Sequence, residues 1–154
     1  MERRTIKSLD GEELSYSTTG RGRSVILLHG FTMSSEMWSS NGVVDILSAS
    51  ARLIIPDMRG HGGSCRPHDP ARYGMNLVND LAVILDHEGA AQTDVVGFST
   101  GAELGLKFAA TQAARVTSLL IIGSGWTQLE DMPVGRLKNV KIFQNCNSAV
   151  FFFL

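Results

Sequence analysis

Between Ser24 and Gly125, short and wholly apolar runs alternate with segments whose apolar positions fall on one face. The runs "SVILLHG" (24–30), "ARLIIPD" (51–57), "TDVVGFS" (93–99) and "RVTSLLIIGSG" (115–125) carry no polar alternation. That pattern predicts strands buried on both faces, the second of them stopped by Pro56. From Asn76 to His87, Leu77, Leu81, Ile84 and Leu85 stand at i, i+4, i+7 and i+8, and Gly89 follows. This spacing predicts an amphipathic helix with a glycine just past its end. "TGAELGLKFAA" (100–110) reads as a helix with small residues on one side, able to lie close to a sheet. Ser34–Ser50 reads as helical towards its end, through Val43, Val44, Ile46 and Leu47. Residues 4–9 and 12–18 flank Asp10-Gly11, a dipeptide suited to a tight hairpin turn, while "RGHGGSCRP" (59–67) reads as a loop. The alternation predicts an α/β fold. Its sheet is mostly parallel and doubly wound, with helices on both faces, and is led by an antiparallel hairpin.

After Trp126 the order ends. Residues 126–154 show no sustained period, and four of the seven Phe (143, 151, 152 and 153) crowd into the last twelve positions. Residues 1–125 therefore read as the N-terminal portion of one domain, and 126–154 as an atypical tail from a departure in frame or splice. Hydrophobic residues make up 44% and charged residues 19%, a globular balance, and the net charge of -1 gives no basic surface for nucleic acid or anionic membrane. Cys65 and Cys146 are too few and too far apart for a disulfide framework or a metal cluster, so neither metal nor cofactor is expected. The charged start "MERRTIKSLDGEEL" has no apolar core, and no run reaches the ~18 residues of a membrane span. Cytoplasmic residence is the expectation.

The chemistry points to one place. Gly97-Phe98-Ser99-Thr100-Gly101 is a G-x-S-x-G pattern at the end of a predicted strand and the start of a predicted helix. A nucleophile elbow sits in that context, where a tight turn lifts the serine hydroxyl above the sheet. Positions 97 and 101 come close in such a turn, so both need very small side chains. The helix that follows aims its first amides, Thr100 among them, at a developing oxyanion. The plainer reading is a glycine-rich strand-to-helix turn with a spectator serine. "LLHGF" (27–31) ends an earlier strand, where the Phe31 N–H can complete an oxyanion hole and Gly30 lets the backbone turn. His29 reads as a loop-holding residue rather than a proton carrier.

With "DMRGHGGS" (57–64), the three stretches resemble the α/β-hydrolase family, whose members carry H-G-F, D-x-R-G-H-G-x-S and G-x-S-x-G in this order. The resemblance covers residues 3–125 and is nearest to the esterase, lactonase and cofactor-free haloperoxidase-like branch. It implies Ser99 as the nucleophile, with the Phe31 and Thr100 amides as the oxyanion hole. It also implies a small carboxylic ester or lactone as substrate, and structural roles for Asp57, Arg59 and His61.

A serine nucleophile needs a histidine base and a carboxylate to orient it. In the family the acid and then the histidine follow the serine along the chain. Here the histidines are 29, 61, 68 and 87, all before Ser99. Two more strand–helix units need about 60 residues at ~30 each, against 29 after Gly125. Glu130 and Asp131 could imitate an acid after the sixth strand, but without a histidine they orient nothing. The expectation is an esterase-like chain with little or no activity. A non-catalytic small-ligand module or an unfolded fragment are the alternatives. The strand at 118–123 is expected to be an uncovered sheet edge that drives self-association.

Overall fold

The computed structural model describes residues 1–123 in full, together with the backbone of two strands within 140–153. Glu130, Asp131 and Cys146 lie outside the described residues, as does the predicted end of the fourth run at 124–125.

Strands β1 (Glu2–Lys7) and β2 (Glu13–Thr19) form the predicted antiparallel hairpin, with Ile6 opposite Leu14. The four apolar runs become β3 (Arg23–Leu28), β4 (Ala51–Pro56), β5 (Thr93–Phe98) and β6 (Val116–Ile122). The sheet order is β1-β2-β4-β3-β5-β6, and the pairs β3–β4, β3–β5 and β5–β6 are parallel. Because helices lie on both faces, neither residue parity is polar. Ile26, Leu28, Val95, Leu119 and Ile121 pack beneath α3 (Met75–His87) and α4 (Thr100–Thr111). Leu27, Leu53 and Ile55 pack against Trp38 and Val44 on the opposite face.

Three expectations are refined. The helix within 34–50 is two short ones, α1 (Glu36–Ser40) and α2 (Val43–Leu47). They part at Gly42, whose φ of 81° lies where a right-handed helix cannot continue. The tail adds two strands, β7 (Val140–Asn145) and β8 (Ser148–Phe153), paired antiparallel with each other. Finally, β6 is not the sheet edge. Leu119, Leu120 and Ile121 pair with Phe153, Phe152 and Phe151, so β8 supplies its neighbour and β7 is outermost.

Among the described residues, part of one face stays open. Beside α1 and α2, a groove of about 390 Å³ is lined by Val25, Val43, Ile46, Val96, Leu120 and Ile122 among others. Ile46 is 73% exposed there. Two five-residue helices are too short to cover a sheet that α3 and α4 cover fully on the other side.

Candidate active site

The site is built where β3, β4 and β5 end. Ser99 follows β5 directly and precedes α4, with φ 53° and ψ −119°. A non-glycine residue at positive φ costs of order 1–3 kcal/mol and persists only where its surroundings over-determine it. Here they do. The Ser99 N–H donates to the Ile122 carbonyl at 2.8 Å, fixing the turn to β6. Its own carbonyl accepts from the Ala102 and Glu103 N–H groups at 2.9 and 3.2 Å.

The two motif glycines serve different contacts. A Cβ on Gly97 would stand 2.5 Å from the Gly101 carbonyl oxygen and 2.6 Å from the Ala102 backbone, the closeness across the turn that its tightness demands. A Cβ on Gly101 would meet the carbonyls of Leu28 and His29 instead. The first turn of α4 thus lies directly on the end of β3, where Leu28 pairs with Gly97. Gly105, one turn on, continues the contact beside Val95 and Leu119.

That contact joins the turn at Ser99 to the loop after β3. Gly30 abuts the Phe98 ring, 3.0 Å from where its Cβ would be. The Met33 N–H closes a turn on the Gly30 carbonyl at 3.2 Å, and Thr32 has a φ of 63°. Among the described residues, neither the Phe31 N–H nor the Thr100 N–H has a hydrogen-bond partner. Thr100 opens a twelve-residue helix, so its amide stands at the positive end of the helix dipole.

His29 is fully buried, and both of its ring nitrogens are engaged. Nδ1 donates to the Gly30 carbonyl at 2.8 Å, and Nε2 accepts from the Met58 N–H at 3.0 Å, which sets the tautomer. Burial pushes its pKa below the usual imidazole value, only partly offset by the bond to Gly30. The ring is a neutral strut between the β3 and β4 loops. A second strut is Asp57, whose carboxylate accepts from the N–H groups of Ser35 at 2.7 Å and Gly63 at 2.8 Å. Burial raises its pKa, but these donors and Arg3 outweigh it and hold the carboxyl below its ordinary range.

Arg59 is the third strut. Its side chain is fully buried and forks onto Asp80 of α3 at 2.6 and 2.8 Å, onto Asp10 of the β1–β2 turn at 2.7 and 2.9 Å, and onto the Arg72 carbonyl. The sequence motif contains Asp57 and Arg59, but not their partners Ser35, Asp10 and Asp80. No periodic signal marks these, because each comes from a separate element.

None of the remaining histidines is hydrogen-bonded to the serine hydroxyl. His61 points Nδ1 at the Arg59 carbonyl, 3.2 Å away, and its ring meets those of His29 and Phe31 edge-on at 5.1 and 5.7 Å. His68 is exposed in the loop. His87 lies at the end of α3 against the Tyr16 hydroxyl at 2.6 Å. Among the described residues, no side chain is hydrogen-bonded to Ser99, and no group of three His, Cys, Asp or Glu is placed to hold a metal ion.

A strained serine at a strand-to-helix turn, faced by a glycine loop braced from a neighbouring strand, is the arrangement of one fold family. The family profile described as the alpha/beta hydrolase fold matches residues 23–145, and the chain belongs to this family. It is 32% identical over 152 residues to a non-heme haloperoxidase of Rhodococcus erythropolis, covering 94% of this chain and 53% of that protein. It is 33% identical over 119 residues to an epoxide hydrolase of Siraitia grosvenorii, covering 75% of this chain and 37% of the relative. Among solved structures, the bottromycin epimerase bound to bottromycin A2 superposes with a TM-score of 0.76 at 27% identity, over 84% of this chain and 51% of that one. The chain spans about half, or less, of the length of these relatives.

Proposed function

We propose that this chain carries the nucleophile half of a serine hydrolase site acting on carboxylic esters or lactones, and that alone it turns over little or no substrate. The observation that carries the reading is the backbone of Ser99, held at φ 53° between a β5–β6 hydrogen bond and the first turn of α4. In this reading, Ser99 Oγ attacks the ester carbonyl while the Phe31 and Thr100 N–H groups receive the oxyanion. Collapse gives an acyl-serine and a released alcohol, and water then frees the acid. Serine favours acyl over epoxide chemistry. Opening an epoxide with a hydroxyl leaves an ether that water does not cleave, whereas an acyl-serine ester hydrolyses.

The weak point is the proton. His29 has no free nitrogen, and among the described residues no other side chain is hydrogen-bonded to the hydroxyl, so this reading passes the proton to solvent. Without the histidine a triad enzyme loses on the order of 10⁶ in turnover, and oxyanion stabilisation and binding retain about 10³ over water. Hydrolysis of p-nitrophenyl acetate is therefore expected barely above background, with Ser99→Ala changing it by less than about tenfold. A robust rate abolished by Ser99→Ala would show that a base is present. The non-catalytic reading is favoured by this same lack of a base among the described residues. Labelling of Ser99 by a fluorophosphonate, slow but faster than at a free serine because the oxyanion donors assist attack without a base, separates the two.

Self-association and cytoplasmic residence complete the proposal. No described helix is long and apolar enough to cross a membrane. The surface that drives association is the open groove beside α2 rather than a bare β6 edge, and its occupant is the same groove of a second copy. Contiguous apolar patches of several hundred Å² promote association. Sedimentation velocity at micromolar concentration is expected to show species above monomer, shifted to monomer by Ile46→Glu. A clean monomer of the unaltered chain would overturn this.

A further inference from the structure

In front of the loop after β3 lies a second cavity, of about 510 Å³, lined by Phe31, Met33, His61, Arg66 and Tyr73 with neighbouring backbone. Its size suits a small organic ligand, since such pockets run from ~300 to ~1,000 Å³. Its walls are apolar and aromatic. Phe31 is 67% and Met33 40% exposed into solvent, although each belongs to a loop whose backbone is pinned from β4. Its charge is one-sided. Among the described residues no carboxylate lines it, and Arg66, like Arg21, has no acidic partner, whereas Arg3, Arg4, Arg23, Arg52, Arg59, Arg72 and Arg115 all do.

The Arg66 guanidinium is also positioned. Its Nη2 donates to the Gly62 carbonyl at 2.5 Å, within the loop that Asp57 fixes through Gly63. That bond holds the head at the rim while leaving its other N–H donors for a ligand oxygen. The Tyr73 hydroxyl donates to the Pro67 carbonyl at 2.9 Å, so the ring opposite is fixed as a wall rather than offered as a donor. Phe31 links the cavity to the serine: its side chain lines the pocket, and its N–H is the donor assigned above to the oxyanion.

We infer that this cavity selects the substrate, and that the substrate class is an ester or lactone with an apolar, preferably aryl, body carrying a second, free carboxylate. The carboxylate sits on Arg66, the body lies between Phe31, Met33 and Tyr73, and the scissile carbonyl extends past the Phe31 amide towards Ser99. This inference rests on the serine-hydrolase reading for its last step only. The anion-selective pocket stands on its own geometry.

The test is binding, read by ligand-observed NMR on the full chain with 3-phenylpropionate and its neutral isostere 3-phenylpropionamide. At low ionic strength the carboxylate is expected to bind about fivefold more tightly, the size of one exposed charge-assisted pair. Arg66→Gln is expected to erase the preference while leaving the melting temperature unchanged, since Arg66 is exposed. Phe31→Ala is expected to weaken both ligands and to keep the preference. Equal binding of the two ligands, binding of neither, or a preference that survives Arg66→Gln would each overturn the pocket assignment. Fluorophosphonate labelling of Ser99 is the separate readout. Slower labelling in the presence of 3-phenylpropionate supports the link to the serine. Binding without such protection overturns that link. An unlabelled Ser99 with intact carboxylate preference overturns the hydrolase reading and leaves the pocket standing.

Discussion

Gly101→Val should lower stability by about 3 kcal/mol or more, enough to shift the melting temperature by about 10 °C in a chain of this size. From the sequence alone the clash is expected across the turn, near Gly97. The structure places it against the carbonyls of Leu28 and His29 at the end of β3. These atoms cannot yield as a flexible side chain would. Leu28 is paired with Gly97, and the His29 ring is held from both nitrogens. Relief requires α4 to lift from the sheet, which would strip cover from Ala102, Gly105, Val95 and Leu119. Gly89→Ala is the control. That residue also lies in a tight backbone position, at φ 64°, but nothing stands within 4 Å of its missing Cβ. Its cost should be the conformational penalty alone, about 1–2 kcal/mol. Equal melting temperatures for the two variants would show that the elbow tolerates separation from β3.

What could be read from the sequence divides by the range of the interaction. The buried strands were legible because burial on both faces forces an unbroken apolar run, a property of each segment by itself. The strand-to-helix turn was legible for a similar reason, since its glycines and serine are constrained within five residues. The break at Gly42 was not, because apolar residues continue on both sides of it and only the backbone sign distinguishes two helices from one. The tail strands β7 and β8 carry no alternation, and their place is set by pairing with β6. Pairing is a long-range property that no local period reports. The site shows the same division. Ser99, Gly97 and Gly101 follow from local geometry. The engagement of both His29 nitrogens depends on Met58, contributed by a different strand end. Arg59 likewise takes its meaning from Asp10 and Asp80, seventy residues apart in sequence and joined only by the fold.

That network carries the second large effect. Arg59→Met should destabilise the chain by about 3–5 kcal/mol at pH 7, because removing one partner of a buried pair leaves the other charge uncompensated. The partner that suffers is Asp80, whose side chain is 7% exposed on α3. Burial already pushes the Asp80 carboxyl above its usual range, and the Arg59 fork only partly restrains this. A carboxyl whose folded pKa is raised favours the native state below its unfolded value and costs stability as pH rises through the folded one. Without Arg59 the rise is larger, so the penalty should be greatest at neutral pH and shrink on mild acidification, as Asp80 takes up a proton. Asp10 behaves in the opposite sense. Hydrogen bonding to Arg59, chiefly, holds its carboxyl far below the ordinary range, so its contribution is present above about pH 4 and lost only in stronger acid. Between pH 5 and 7 the Asp10 part is therefore constant and does not mask the pH dependence that comes from Asp80. Urea melts of both proteins at the two pH values measure it. Arg59→Met combined with Asp80→Leu should recover part of the loss at pH 7, because an apolar pair replaces the stranded charge. A penalty that is flat from pH 5 to 7, or one that grows on acidification, would mean that Asp80 finds another partner when Arg59 is gone and that the strut is not a single buried fork.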